Sequence, residues 1–222
     1  MGSSSSFAHN SFLRRLAASI LAAYLGMIVA NAAMAAPIKI LALGDSLTAG
    51  YGLAEADGFC PQLEKALRGA GHDVQVIDGG NSGDTTADGL ARLDWSLADN
   101  PQVVIVELGG NDALRGLDPA QAKANLDAIL TRLEKQGRVV LLAGMKAPRN
   151  LGPDYVLAFD GMYPDLAARH RVALYPFFLD GVATIPALNQ ADGFHPNPAG
   201  VAIIVKRILP AVEKALAELK PG

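Results

Sequence analysis

Cysteine is almost absent from this 222-residue sequence. Cys60 stands alone, which excludes an intrachain disulfide and any zinc site built on thiolates. Aromatic residues are scarce at 6%, so a core has to come from Ala, Val, Leu and Ile. Excess positive charge is missing too. A net charge of −3 offers no basic footprint for nucleic acid. No internal repeat or linker divides the chain, and its length favours one domain. Half of the residues are hydrophobic and 18% are charged, which argues against disorder.

The one long apolar run lies near the N-terminus. Arg14 and Arg15 precede it, Leu16–Val29 forms it, and Ala33-Met34-Ala35 follows with Pro37 just beyond. Basic, apolar and small-residue segments in that order predict a secretory signal peptide over residues 1–36, cut after Ala35 or Ala36. An uncleaved anchor is the alternative, since Leu16–Ala36 is nearly long enough to span a bilayer. Cleavage would place a single domain, residues 37–222, in the periplasm or outside the cell, with no stable membrane insertion. It removes two positive charges and no negative one, so the remainder is more acidic than the whole chain. Beyond residue 36 only Ser46, Ser82 and Ser96 remain as serines, and only His72, His170 and His195 as histidines. The search for a nucleophile and its base is therefore short.

Short apolar runs alternate with segments of helical period. Strands are expected at Ile38–Leu43, Val74–Ile77, Val103–Leu108, Val139–Ala143 and Val172–Tyr175. Helices are expected at Phe59–Ala70, Thr85–Leu97, Pro119–Lys135, Asp154–His170 with a kink at Pro164, and Ala199–Leu219. A long loop is read over Phe177–Pro198. Continuous apolar strands with a dozen or more residues between them predict a three-layer α/β/α sandwich around a five-stranded parallel sheet. Ligands of such sheets sit beyond the carboxyl ends of the strands.

Four polar clusters fall at those ends or in the long loop. Gly44-Asp45-Ser46-Leu47 follows the first strand and reads either as a helix N-cap or as a held nucleophile. Asn81-Ser82-Gly83-Asp84-Thr85 follows the second, as an ordinary turn or as a backbone N–H donor at Gly83. Gly109-Gly110-Asn111-Asp112 follows the third, as a turn or as an amide NH₂ for an oxyanion. In Asp192-Gly193-Phe194-His195-Pro196 a carboxylate and an imidazole stand three residues apart and meet if Gly193 bends the chain. Singly, each has a bland explanation. Together they supply a nucleophile, a base with an orienting carboxylate, and oxyanion donors, which is an acyl-transfer set.

In these four blocks the sequence resembles the SGNH/GDSL hydrolases, and over Val106–Gly116, Gly89–Leu93 and Tyr175–Phe178 it is similar to their bacterial thioesterase I, lysophospholipase L1 and arylesterase branch. The resemblance runs over residues 38–217. It implies a flavodoxin-like sheet and hydrolysis of esters or acyl thioesters without metal or cofactor. It also implies a triad of Ser46 as nucleophile, His195 as base and Asp192 as its orienting partner. The oxyanion hole would be the Ser46 and Gly83 N–H groups with the Asn111 side chain. Gly58-Phe59-Cys60-Pro61 departs from the branch, which usually has Trp-Pro there. The segments after the third and fourth strands offer Leu114, Leu117, Met145, Pro148 and Leu151 as an apolar wall for an acyl chain or aromatic ring. Arg115 and Arg149 stand beside that wall, either to meet an anionic headgroup or as solvated surface. The expected partner is a small acyl ester or thioester, taken by a monomer. A carbohydrate deacetylase of the same family is a rival, although Trp95 is the only tryptophan. A non-catalytic periplasmic binding domain is the rival from another class.

Overall fold

A computed structural model describes residues 36–219. The expected leader, with its cleavage point and its rival as an anchor, lies outside the described residues except for Ala36. The five strands are β1 (Ile38–Gly44), β2 (Val74–Gly80), β3 (Val103–Glu107), β4 (Val139–Ala143) and β5 (Ala173–Tyr175). All pair in parallel, in the spatial order β2-β1-β3-β4-β5. The helices are α1 (Ser46–Ala49), α2 (Phe59–Gly69), α3 (Thr86–Ala91), α4 (Leu93–Ser96), α5 (Gly110–Leu114), α6 (Pro119–Lys135), α7 (Pro153–His170) and α8 (Pro198–Ala217).

Every residue of β3 is buried, which is why its sequence shows no polar alternation: helices cover both faces of a parallel sheet. From β1 the chain steps outward to β2, crosses back to β3, and then proceeds in the other direction to β4 and β5. Right-handed crossovers then place α2 on one face and α3, α6 and α7 on the other. The observed packing agrees, with α2 against α8, α3 against α6, and α6 against α7. The direction of strand addition reverses between β1 and β3. A ligand cleft opens at such a switch point, at the carboxyl ends of the two strands. Ser46 follows one of those ends and Asn111 the other.

Local signals explain the element boundaries. Asp118 caps α6 by accepting from the Ala120 N–H at 2.9 Å, and Pro119 occupies the first turn, where its missing N–H costs nothing. Asn197 and Pro198 begin α8 in the same way. Helix α7 continues through Pro164. The helix expected over 85–97 is two pieces with a break at Arg92. That break accompanies an inward turn of the Arg92 guanidinium, which donates to the Gly44 carbonyl at 2.8 Å and pairs with Asp84. The short helices α1 and α5 escape a periodicity reading, being too brief to show one.

On the far face His170 lies almost enclosed between α6 and α7. Its Nε2 is 2.9 Å from Asp127 and its Nδ1 3.1 Å from Glu134. Burial pulls its proton affinity down, but the two carboxylates outweigh that and the net shift is upward. A histidine raised in the folded state stabilises fully below its unfolded value, and the contribution is lost as pH rises through the folded value. His170→Gln is therefore expected to lower the melting temperature clearly at about pH 5.5 and much less at about pH 9. Equal losses at both pH values would assign the contribution to packing rather than charge.

Candidate active site

The nucleophile block sits where β1 ends. Asp45, not Ser46, caps the following helical turn, with its Oδ1 accepting from the Leu47 N–H at 3.0 Å. The cap reading of this block therefore holds for Asp45. Capping by Asp45 leaves the Ser46 hydroxyl free, and its Oγ lies 3.0 Å from His195 Nε2. His195 Nδ1 in turn lies 2.7 Å from Asp192 Oδ2. Gly193, at a φ of +75°, makes the bend that brings the carboxylate back onto the ring. The other oxygen of Asp192 accepts the Phe194 and His195 N–H groups at 2.9 and 3.0 Å. These backbone donors, with the imidazole, hold the Asp192 carboxyl down at about 2. At neutral pH it is thus a carboxylate, an acceptor suited to Nδ1–H, with Nε2 on the side of Ser46.

Beneath Ser46 the site is acidic and buried. Asp45 is buried, and burial raises its carboxyl to about 6 against the lowering effect of the Leu47 N–H, the Asn111 amide and the His195 charge. Glu107, at the end of β3, is wholly buried. One of its oxygens accepts the Thr48 hydroxyl at 3.0 Å, while the other has no hydrogen-bond partner among the described residues. Burial first, and then the neighbouring Asp45 charge, push its proton affinity far up. The sequence points to Asp45 only as a helix cap and gives Glu107 no role. A charged residue closing an otherwise apolar strand was the available signal for Glu107.

Asn111 lies on α5, directly beyond β3. Its Nδ2 donates to Asp45 Oδ2 and to the Asp84 carbonyl, each at 3.0 Å. Two acceptors facing one end of the amide fix which atom is nitrogen. Gly83 lies in the turn after β2, its carbonyl accepting from Arg115 at 2.7 Å. Among the described residues neither the Ser46 nor the Gly83 N–H has a protein acceptor, so both remain available as donors. Thr85, rather than Asp84, caps the helix that follows, in a reciprocal capping box with Asp88.

Ser46, Asn111 and His195 open into one cavity of about 590 Å³. Of the expected wall, Leu114, Met145 and Pro148 line it; Leu117 and Leu151 do not. Leu117 is instead exposed, and its backbone carbonyl accepts from the Tyr155 hydroxyl at 2.7 Å. Residue 151 sits in a short helical turn, Arg149–Leu151. The long loop supplies wall residues that the sequence reading missed, above all Phe177, Leu179 and Phe194. Phe194 is 62% exposed despite standing beside His195, a position visible in the sequence only as the spacer of the last block. Arg115 and Arg149 are both engaged, Arg115 with Gly83 and Arg149 with Asp160 at 2.8 Å. Trp95 is 78% exposed on α4 and does not line the cavity, so no indole platform for a sugar faces Ser46. No group of side chains suited to holding a metal occurs among the described residues.

The departure at Gly58–Pro61 is absorbed by packing. Phe59 is buried edge-on against Phe178, with ring centroids 5.0 Å apart. Cys60 is buried beside it, and burial pushes its thiol well up, which leaves it unreactive.

Fold and side-chain order together are those of a serine hydrolase. The chain belongs to the GDSL-like lipase/acylhydrolase family, whose sequence profile matches residues 42–203. It is 42% identical over 183 residues to the esterase TesA of Pseudomonas aeruginosa, a match covering 82% of this chain and 91% of that one. It is 38% identical over 175 residues to thioesterase 1/protease 1/lysophospholipase L1 of Escherichia coli, covering 78% and 83%. The crystal structure of AlinE4, an SGNH-hydrolase family esterase, superposes with a TM-score of 0.70 at 49% identity, covering 83% of this chain and 99% of that one.

Proposed function

We propose that the protein hydrolyses carboxylic esters and acyl thioesters through an acyl-enzyme on Ser46. The observation that carries this reading is the unbroken line of hydrogen bonds from Ser46 Oγ through His195 to Asp192, at 3.0 and 2.7 Å. Ser46 Oγ attacks the acyl carbon as His195 Nε2 takes its proton. The Ser46 and Gly83 N–H groups receive the oxygen that becomes negative, and the Asn111 amide, whose two hydrogens rest on Asp45 and the Asp84 carbonyl, joins them by turning one hydrogen from its present acceptor. His195 then gives the proton to the departing alcohol or thiol, and the carbon–oxygen or carbon–sulfur bond breaks. Water repeats the sequence on the acyl-enzyme and releases the acid. Asp192 stabilises the imidazolium throughout and is not itself protonated.

The cavity wall favours an acyl chain or an aryl group. Leu114, Met145, Phe177, Leu179 and Phe194 give it an apolar surface next to the nucleophile. The leader read at residues 1–36 supports export, so the site of action is the periplasm or the exterior. No helix among the described residues is long and apolar enough to cross a membrane. A monomer suffices for this chemistry, because one chain supplies every group named.

The test is hydrolysis of p-nitrophenyl esters of increasing acyl length by the exported portion, residues 37–222. Turnover is expected for short and medium chains, with an optimum that falls when Phe194→Ala or Leu179→Ala removes wall surface. Absence of turnover on every ester and on acyl thioesters would overturn the reading.

A further inference from the structure

His195 lies 149 residues after Ser46 and reaches it from a loop between β5 and α8. A catalytic separation of 3.0 Å requires that this loop be fixed to the side of the molecule that carries Ser46. Gln190 is placed to do that. Its Nε2 donates to the Tyr51 carbonyl at 2.7 Å and to the Pro196 carbonyl at 3.0 Å. Its backbone N–H donates to the His195 carbonyl at 2.7 Å, and its own carbonyl accepts from Gly193 at 3.0 Å. Carbonyls only accept, so the amide nitrogen must be the atom between Tyr51 and Pro196. The amide lies close against Gly52. A Cβ at Gly52 would lie 2.4 Å from Gln190 Oε1. Beyond the staple, the Tyr51 ring rests on the His195 imidazole, with centroids 4.7 Å apart and planes tilted by 38°. Behind it, buried Asn189 donates to the Val182 and Ile185 carbonyls and anchors the loop to its own base.

We infer that Gln190 is a positioning residue of the reaction, a staple between the segment after the nucleophile and the histidine loop that sets the distance from Ser46 to His195. The inference rests on the Ser46–His195 reading given above. Gln190 does not line the substrate cavity, so its effect has to pass through His195 and belongs in kcat rather than KM.

Two variants of the full chain test it, with Ser46→Ala as the reference. Gln190→Met keeps the length of the side chain and donates nothing. Gln190→Glu keeps the shape but presents oxygen to both carbonyls when ionised, and regains one donor when protonated. Displacement of a catalytic group by about an ångström costs on the order of 10²-fold. Both variants are therefore expected to lose about tenfold to about a hundredfold in kcat on a p-nitrophenyl ester, with KM held within about threefold.

The ratio of Gln190→Glu to the parent is expected to rise as pH falls from about 8 to about 5, while that of Gln190→Met stays flat. His195 and Asp192 on the same loop, with Tyr51 opposite, are the titratable groups against this position. Asp192, held at about 2, stays ionised across the range. Unchanged kcat in both variants with Ser46→Ala inactive would overturn the staple and leave the serine mechanism standing. A loss without the pH-dependent recovery in Gln190→Glu would reduce Gln190 to packing and overturn the staple as well. Circular dichroism checks folding, and if both variants are unfolded at the assay temperature, Gln190 is scaffold and the inference fails. Full activity in Ser46→Ala would overturn both proposals at once.

Discussion

Replacement of Ser46 by alanine is expected to reduce turnover of a p-nitrophenyl ester about 10⁴-fold or more. The size follows from what the change removes. Without Oγ there is no acyl-enzyme, and His195 has no proton to take at 3.0 Å. Neither of the other two serines beyond residue 36 stands in for it. Ser96 is buried, donates to the Arg92 carbonyl and accepts from its guanidinium. Ser82 is exposed on the turn beside Gly83 and has no imidazole partner. The residual rate measures what the oxyanion donors achieve with water alone. A phosphonate probe followed by intact mass should label the parent and not the variant. Labelling that persists in Ser46→Ala would remove Ser46 from the mechanism.

For Asn111→Ala the expected loss is about 10²–10³-fold in kcat, the usual consequence of removing one oxyanion donor. This substitution has a second effect that Ser46→Ala lacks. The Asn111 amide also satisfies Asp45 Oδ2 and the Asp84 carbonyl. Alanine leaves a buried carboxyl without one of the two donors that hold it down, so Asp45 is expected to move above its present value of about 6. A stability loss of about 1–3 kcal/mol should accompany the catalytic one, as for other unsatisfied buried polar groups. Calorimetry and steady-state kinetics separate the two. Unchanged kcat in a protein of unchanged fold would sink the donor role.

The framework was readable because burial on both faces writes itself into a parallel strand as an unbroken apolar run. Val103–Val106 is the plainest case. The site was readable for a related reason: three of its blocks follow strand ends, where polar residues and glycines have no place in a core and therefore stand out, and the fourth lies in the long loop before α8. Residues that act by contact across long sequence distances left no such mark. Gln190 looks like any polar loop residue until Tyr51 is brought beside it. The cavity wall shows the same limit. Leu114, Met145 and Pro148 follow strand ends and were found. Phe177, Leu179 and Phe194 ride on a loop whose path no periodicity encodes. Leu117 and Leu151 lie in the right segments but point elsewhere, because adjacency in sequence says nothing of which side of a loop faces the cleft. Asp45 was recorded as part of a motif, but its charge state depends on burial that only the packed molecule reveals.

Ser46 is made 149 residues before His195, and the last helix to be made, α8, packs on α2, one of the first. A chain emerging from the ribosome thus carries a nucleophile without a base for most of its synthesis. The sheet adds delay, since parallel pairing of β1 with β3 has to wait for distant segments to meet. Recovery of turnover during refolding consequently clocks the arrival of the C-terminal third, not the collapse of the core. Folding order by itself thus keeps an acyl hydrolase inert until the histidine loop has closed on Ser46.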